Sequence, residues 1–263
     1  MLPRLHLFEL NDSPWAPAGL RETIVEALSR ALDWGHVLRG LAPHFARFVS
    51  ETRSSEVLDL CAGAGGPAAI LARELRASGH VPPRFLMTDL APRPLAWEAL
   101  RAADPDCIDF VPHAVDAANL PPELGAGRAR VIINALHHFR PELAGAILRG
   151  AAIGSPGVFV AEGFGRNPAR FAPFAWAGLP ALAAGPVLAH SRRLEKALWS
   201  WVTPVALAAS TWDGLVSTMR VYTEQELRAM VAPLGGELFW TYGTYDFFPG
   251  GRGTFFYGVP AAR

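Results

Sequence analysis

The sequence predicts an α/β fold built on a seven-stranded, mostly parallel sheet with a reversed last strand, and three observations carry that expectation. Between residues 56 and 163 short apolar runs alternate with amphipathic stretches, the pattern of strands joined by right-handed crossover helices. Near its end the chain has two aromatic and β-branched runs, 237–243 and 253–259, joined by Pro249-Gly250-Gly251, which read as a closing hairpin. Finally, 263 residues that are 51% hydrophobic and 18% charged suffice for one large core and make a single elaborated domain the better expectation.

Taken in order, the chain opens with Asn11-Asp12-Ser13-Pro14-Trp15-Ala16-Pro17, where the prolines favour an extended loop. Trp15 needs apolar cover, either as a staple on the next helix or as a wall of the active site. Leu20, Ile24, Ala27, Leu28, Ala31 and Leu32 recur at helical spacing, and a second helix is expected over 42–49. Residues 1–50 are thus expected as an N-terminal helical cap on the sheet edge or over a pocket, and 51–263 as the main domain. Strands are predicted near 56–60, 84–89, 108–115, 130–135 and 157–162, and helices near 67–78, 93–103 and 141–152.

After the fifth strand comes an apolar helical insert, 165–221. Its two apolar stretches are broken by Pro173, Pro180, Pro186 and Pro204, which argues against membrane spans. Between them Ser191-Arg192-Arg193-Leu194-Glu195-Lys196 reads as a polar tip. The insert suits a lid over an apolar substrate, a hairpin resting on a membrane surface through Trp199, Trp201 and the basic tip, or plain packing and dimer formation. Thr223-Glu224-Gln225-Glu226 is a capping box that opens a further helix.

The chemistry gathers at the carboxyl ends of the predicted strands, where open α/β sheets bind ligands. Reading off those ends gives Asp59, Asp89, Asp116, Asn134 and Glu162, all polar, and packing alone does not account for the set. The first strand runs into Cys61-Ala62-Gly63-Ala64-Gly65-Gly66-Pro67, a small-residue turn that lets backbone approach a ligand and starts a helix. Gly63-x-Gly65-x-x-Ala68 also fits the degenerate dinucleotide fingerprint. Asp59 weighs against that reading, since it would repel a pyrophosphate and attract an ammonium group. An acid at the second strand end, Asp89, suits a ribose diol in either case; Asp89 as a helix cap and Asp116 as a turn residue are the bland alternatives.

The acid followed by a small-residue turn resembles motif I of the class I S-adenosylmethionine-dependent methyltransferases, with Cys61 where that family usually has glycine. The resemblance covers roughly 56–163 and 222–260 and implies a Rossmann-like sheet. It also implies S-adenosylmethionine as cofactor, with its methionine end at Asp59, Cys61, Ala62, Gly63 and Gly65, its ribose at Asp89 beside Leu90, and its adenine at Asp116 and Ala117, with Asn134 at the fourth strand end. The run Ala135-Leu136-His137-His138-Phe139 resembles the motif that follows the fourth strand in small-molecule methyltransferases.

Methyl transfer from a sulfonium needs alignment and a dry pocket more than covalent chemistry. Where the acceptor needs a base, His138, His137, Glu162 and Asp213 are the candidates, in that order, because an imidazole titrates near neutral pH. The histidine pair suits helix capping equally well. No further His or Cys falls at zinc-ligand spacing, so no metal is expected. The expected function is methyl transfer to a small, partly apolar molecule. Alternatives are an NAD-dependent oxidoreductase and a non-catalytic S-adenosylmethionine-binding or membrane-associated accessory protein.

Zero formal net charge and one short basic cluster argue against nucleic acid as partner. Two cysteines and no readable signal peptide point to a reducing cytoplasm, and a homodimer is compatible with the apolar insert.

Overall fold

The protein is described by a computed structural model over residues 3–189 and 191–260; residues 1–2 and 261–263 of the expected cap and main domain lie outside the described residues. The chain runs α1 (Ala18–Trp34), α2 (Ala42–Thr52), β1 (Glu56–Leu60), α3 (Gly66–Ala77), β2 (Arg84–Thr88), α4 (Pro94–Ala103), β3 (Ile108–Phe110), α5 (Pro122–Gly125), β4 (Ala129–Ile133), α6 (Pro141–Ala152) and β5 (Val158–Glu162). The insert follows as a short helical segment, Pro168–Phe174, then α7 (Ala175–Ala183), α8 (Gly185–Leu188), α9 (Arg193–Ala197), a wide turn, Leu198–Val202, and α10 (Val205–Arg220). Helix α11 (Glu224–Val231) and the hairpin β6 (Leu238–Phe247) and β7 (Gly251–Pro260) complete the described chain.

The seven strands form one sheet in the order β3-β2-β1-β4-β5-β7-β6. Strands β1 to β5 pair in parallel, and β7 runs antiparallel between β5 and β6. The reversed strand is therefore the last one in the chain. Alternating side chains divide the core between the two faces. Val57, Phe85, Val131 and Phe159 pack with α2 and α3, while Leu58, Leu60, Ile132 and Val160 pack with α6 and α11.

Three expectations are corrected. Strand β3 is only three residues long, because Pro112 has no N–H to continue the ladder; Val111 and Val115 still donate to the carbonyls of Met87 and Asp89. Helix α2 runs to Thr52, three residues past the expected 42–49, and covers the sheet face: Phe45 and Phe48 each lie 5.2 Å from the Phe159 ring. The predicted polar tip is exposed from Ser191 to Leu194, and only its last residue turns inward. Lys196 is 0% exposed, and its Nζ lies 2.7 Å from Glu26 and 3.4 Å from Glu22 on α1.

The insert thus packs on α1. Leu182, Ala206 and Ala209 meet Leu20, Ile24 and Ala27, and burying these apolar groups is what holds the segment to the domain. Its outer side still carries exposed Leu194, Trp201 and Val202. No helix among the described residues is long and apolar enough to cross a membrane. The capping box forms as read: Thr223 Oγ1 accepts from the Glu226 amide, and the Glu226 carboxylate accepts from the Thr223 amide.

Candidate functional site

The β1–α3 loop is held by backbone geometry that its small residues make possible. Cys61, Gly63 and Gly65 all sit at positive φ, of 64°, 57° and 82°. Cys61, standing where the resemblance expects glycine, thus keeps the left-handed conformation despite the cost its Cβ adds. At Gly65 a Cβ would come within 2.7 Å of Leu100 and 2.9 Å of Met87, so only glycine fits; at Gly63 it would meet nothing, which marks the open side of the loop.

Gly63 is clamped from two directions. Its amide donates to Asp89 Oδ2 at 2.8 Å, and its carbonyl accepts from the Trp97 indole at 3.0 Å. Trp97, fully buried under the loop, and Thr88, which donates from Oγ1 to the Asp59 carbonyl, complete the support. Asp89 also accepts from the Ala91 amide at 2.8 Å, so it caps the turn after β2 and not helix α4. Its oxygens keep lone pairs for a diol.

The loop borders a groove of about 1240 Å³, counting solvent at its mouth. Its walls include Cys61, Ala62, Gly63, Asp89, Leu90, Asp116, Ala117 and Asn134, so most of the residues assigned to the cofactor from the sequence converge there. Leu90, 68% exposed, offers apolar surface at the opening. Asp116 accepts from the Ala118 amide and the Asn119 side chain, which makes it the turn residue of the bland alternative while leaving it at the groove wall.

Asp59 is different. It is 2% exposed, it does not line the groove, no loop amide reaches it, and its Oδ2 has no partner. Burial first, and the charge of Asp89 second, push its carboxyl well above the usual range. Burial likewise pushes the Cys61 thiol up, which keeps it un-ionised and a poor nucleophile.

A second, mostly apolar space of about 900 Å³, again counting solvent at its mouth, adjoins the groove. Its walls come from α1 (Ile24, Ala27), the loop after β5 (Phe164) and the insert (Phe171, Phe174, Leu179, Leu182, Leu207). Asn11, Leu28, Asn134 and His138 line both spaces, so chamber and groove meet at these four residues. Asn134 sits at φ 54° with Oδ1 accepting from the Gly163 amide at 2.6 Å and with its buried Nδ2 unpaired.

The four candidate bases separate once their partners are known. His138 Nδ1 lies 2.9 Å from Asp12 and 3.2 Å from Glu9. Burial disfavours its imidazolium, but hydrogen bonds to those two carboxylates outweigh burial and hold its pKa up to about 10. In this arrangement His138 is a cation near neutral pH and no base, contrary to its first place among the sequence candidates.

Glu162 is buried behind His137: Oε2 is 2.7 Å from His137 Nδ1, and Oε1 accepts from the His137 amide at 3.1 Å. Glu162 lines neither the groove nor the chamber, so it orients a histidine and does not reach a substrate. A carboxylate that accepts from Nδ1–H leaves Nε2 of the neutral ring as a lone pair, and His137 lines the chamber. Asp213 also lines the chamber but accepts from the Leu10 and Asn11 amides at 2.7 and 2.9 Å, pinning the N-terminal segment; desolvation pushes its pKa up to about 6.

Sequence reasoning missed the contribution of Glu9, Asn11 and Asp12, which approach the histidines from more than a hundred residues away. The proline-rich character of 11–17 was the available signal, but it pointed to Trp15. That residue lines neither space; it is 69% exposed and lies 6.2 Å from Phe8, which in turn meets Trp212.

No protein-family model matches the sequence, and no curated protein matches it either. Solved structures do. Magnesium protoporphyrin IX methyltransferase from Synechocystis PCC 6803 with bound SAH is 12% identical, with 96% of this chain and 91% of that chain covered at a TM-score of 0.50. The methyltransferase domain of a bacterial Hen1 is 10% identical, covering 85% and 99% at 0.51. A candidate O-methyltransferase from Nostoc punctiforme PCC 73102 is 17% identical, covering 97% of this chain and 64% of that chain at 0.52. The chain therefore has the class I methyltransferase fold.

Proposed function

We propose that this protein is an S-adenosylmethionine-dependent methyltransferase that acts on a small, partly apolar acceptor by direct methyl transfer. The observation that carries the reading is the meeting of groove and chamber at Asn11, Leu28, Asn134 and His138, which brings a cofactor space and an apolar acceptor space to one junction. Alignment of two reactants across such a junction supplies most of what this reaction asks of a protein.

The groove suits a cationic cofactor better than a dinucleotide. Asp12, Asp89 and Asp116 line it against Arg93 and the His138 cation, a balance that still favours a sulfonium and an ammonium over a pyrophosphate. Asp59, buried and unpaired behind the loop, stands off the groove wall, so a cofactor ammonium would act on it only across the intervening loop. Asp89 would take the ribose, and Asp116 with Ala117 and Leu90 the adenine. When bound, S-adenosylmethionine supplies an activated methyl group. The chain's residues orient it and line the chamber with apolar groups that keep water out.

Incubation of the purified protein with cell extract and labelled-methyl S-adenosylmethionine tests this without a prior guess at the acceptor. Label is expected in a small, organic-extractable product. Label confined to nucleic acid or protein, or its absence from every fraction, would contradict the acceptor class.

A further inference from the structure

We propose that Glu9, His137 and His138 form a binding site for a divalent transition-metal ion, of which zinc is the type, at the junction of the chamber and the cofactor groove. Each residue offers one ligand atom, and these atoms lie within 4.8 Å of one another. Two imidazoles and one carboxylate are the donor set of open zinc sites, which keep a coordination position for a substrate or water.

Glu9 and His137 are prepared by their neighbours, and His138 gives up to solvent the Nδ1 proton that faces Asp12 and Glu9 as the ion enters. Glu9 is 1% exposed; its Oε1 accepts from Ser217 at 2.9 Å and faces Arg220 at 3.1 Å, whereas its buried Oε2 faces only His138 Nδ1, at 3.2 Å. That is how a monodentate carboxylate is held: one oxygen fixed by the protein, the other turned only toward a fellow ligand. His137 shows the complementary arrangement, with Glu162 on Nδ1 and Nε2 left as the lone pair. A carboxylate behind a ligating histidine is the usual outer support of such sites, setting the tautomer and raising ligand basicity.

The distances suit an ion as well. Glu9 Oε2 and His138 Nδ1 are 3.2 Å apart, close to the ligand–ligand edge set by bonds of about 2.0–2.2 Å around a zinc-like ion. Glu9, Asp12, Glu162 and Asp213 gather around the pair against Arg220 and Arg4, which donates to the His137 carbonyl at 3.1 Å, so once His138 has lost its proton the carboxylates still outnumber the fixed cations. His137 and His138 both line the chamber, so an ion on them stands where an acceptor oxygen or nitrogen would arrive. This role rests on the methyltransferase reading; the ion binding itself does not.

The test uses the intact protein, stripped with chelator and then titrated at neutral pH with Co²⁺, followed by its visible absorption, and with Zn²⁺ in competition with a chromophoric chelator. One ion per chain is expected, with Co²⁺ displaced by Zn²⁺. Glu9→Gln should weaken Zn²⁺ binding at least about tenfold, and Glu162→Gln, acting through His137, by about 10- to 100-fold.

Circular dichroism and S-adenosylhomocysteine affinity of the variants separate lost ligation from lost folding. If a variant fails to fold, the wild-type stoichiometry and the Co²⁺ spectrum still decide. Absence of stoichiometric binding, or folded variants that bind Zn²⁺ as the wild type does, would overturn the site and leave His138 holding only its proton. Ion binding without cofactor binding would instead overturn the methyltransferase reading and leave the site standing.

Discussion

Asp89 Oδ2 accepts the Gly63 amide at 2.8 Å, so the acid that ends β2 also anchors the glycine loop that follows β1. One carboxylate thus serves the shape of the groove and the polarity of its wall. Replacing Asp89 by Ala removes the anchor and the diol acceptor together. S-adenosylhomocysteine affinity is expected to fall about tenfold to a hundredfold, the equivalent of roughly 1.5–3 kcal/mol for hydrogen bonds to a charged group. Unchanged affinity by calorimetry would remove Asp89 from the site.

Cys61 occupies a left-handed position, φ 64°, with a thiol that burial keeps un-ionised. Cys61→Gly is therefore expected to stay within about 1 kcal/mol of wild-type stability, strain relief and added unfolded-state freedom opposing each other. Cys61→Val, whose branched Cβ tolerates that conformation least, should cost about 1–3 kcal/mol. Denaturant midpoints compare the two, and equal stability would show that the loop relaxes around the side chain.

Lys196 ties the insert to α1 through Glu22 and Glu26. Both acids are partly solvated, so Lys196→Met, which keeps the packing, is expected to change stability by no more than about 1 kcal/mol. Lys196→Glu places a third acid in a buried spot and should cost about 3 kcal/mol or more, releasing the insert from the chamber wall. Limited proteolysis within 165–221 reads this directly; an unchanged cleavage pattern would show that apolar contacts alone hold the segment.

The architecture was legible because its signals are local. Alternating apolar runs place β1, β2, β4 and β5, the capping box opens α11, and Pro249-Gly250-Gly251 closes the hairpin, each within a few residues. The cofactor groove was legible for the same reason: the ends of parallel strands share one edge, so Asp89, Asp116 and Asn134 converge without knowledge of tertiary contacts.

The basic groups were not legible, because the partners that set their roles come from afar. Asp12 and Glu9 lie more than 120 residues before His138, and Glu162 lies 25 residues after His137. No spacing rule reveals that one histidine is held charged and the other tautomerically fixed. Lys196 was misplaced likewise, since a charged run reads as solvent-exposed until Glu22 and Glu26 are seen opposite it.

Asp213 gives a pH dependence. Its folded pKa, pushed up to about 6, stands above the unfolded value of about 4, so folding favours its protonated form, and ionisation takes stability away as pH rises between those values. Asp213→Asn lacks that titration. The melting temperature of the wild type relative to Asp213→Asn should therefore fall as pH rises from about 4 to 6.5 and be level above that. A wild-type advantage that grows with pH would show that the Leu10 and Asn11 amides hold the carboxylate ionised.

The most direct test of the central claim is calorimetric titration of the purified protein with S-adenosylmethionine, S-adenosylhomocysteine and NAD side by side. The expected result is one site per chain for each of the first two ligands, weakened about tenfold to a hundredfold by Asp89→Ala, and no heat of binding with NAD. Saturable binding of NAD, with neither S-adenosylmethionine nor S-adenosylhomocysteine bound, would contradict it.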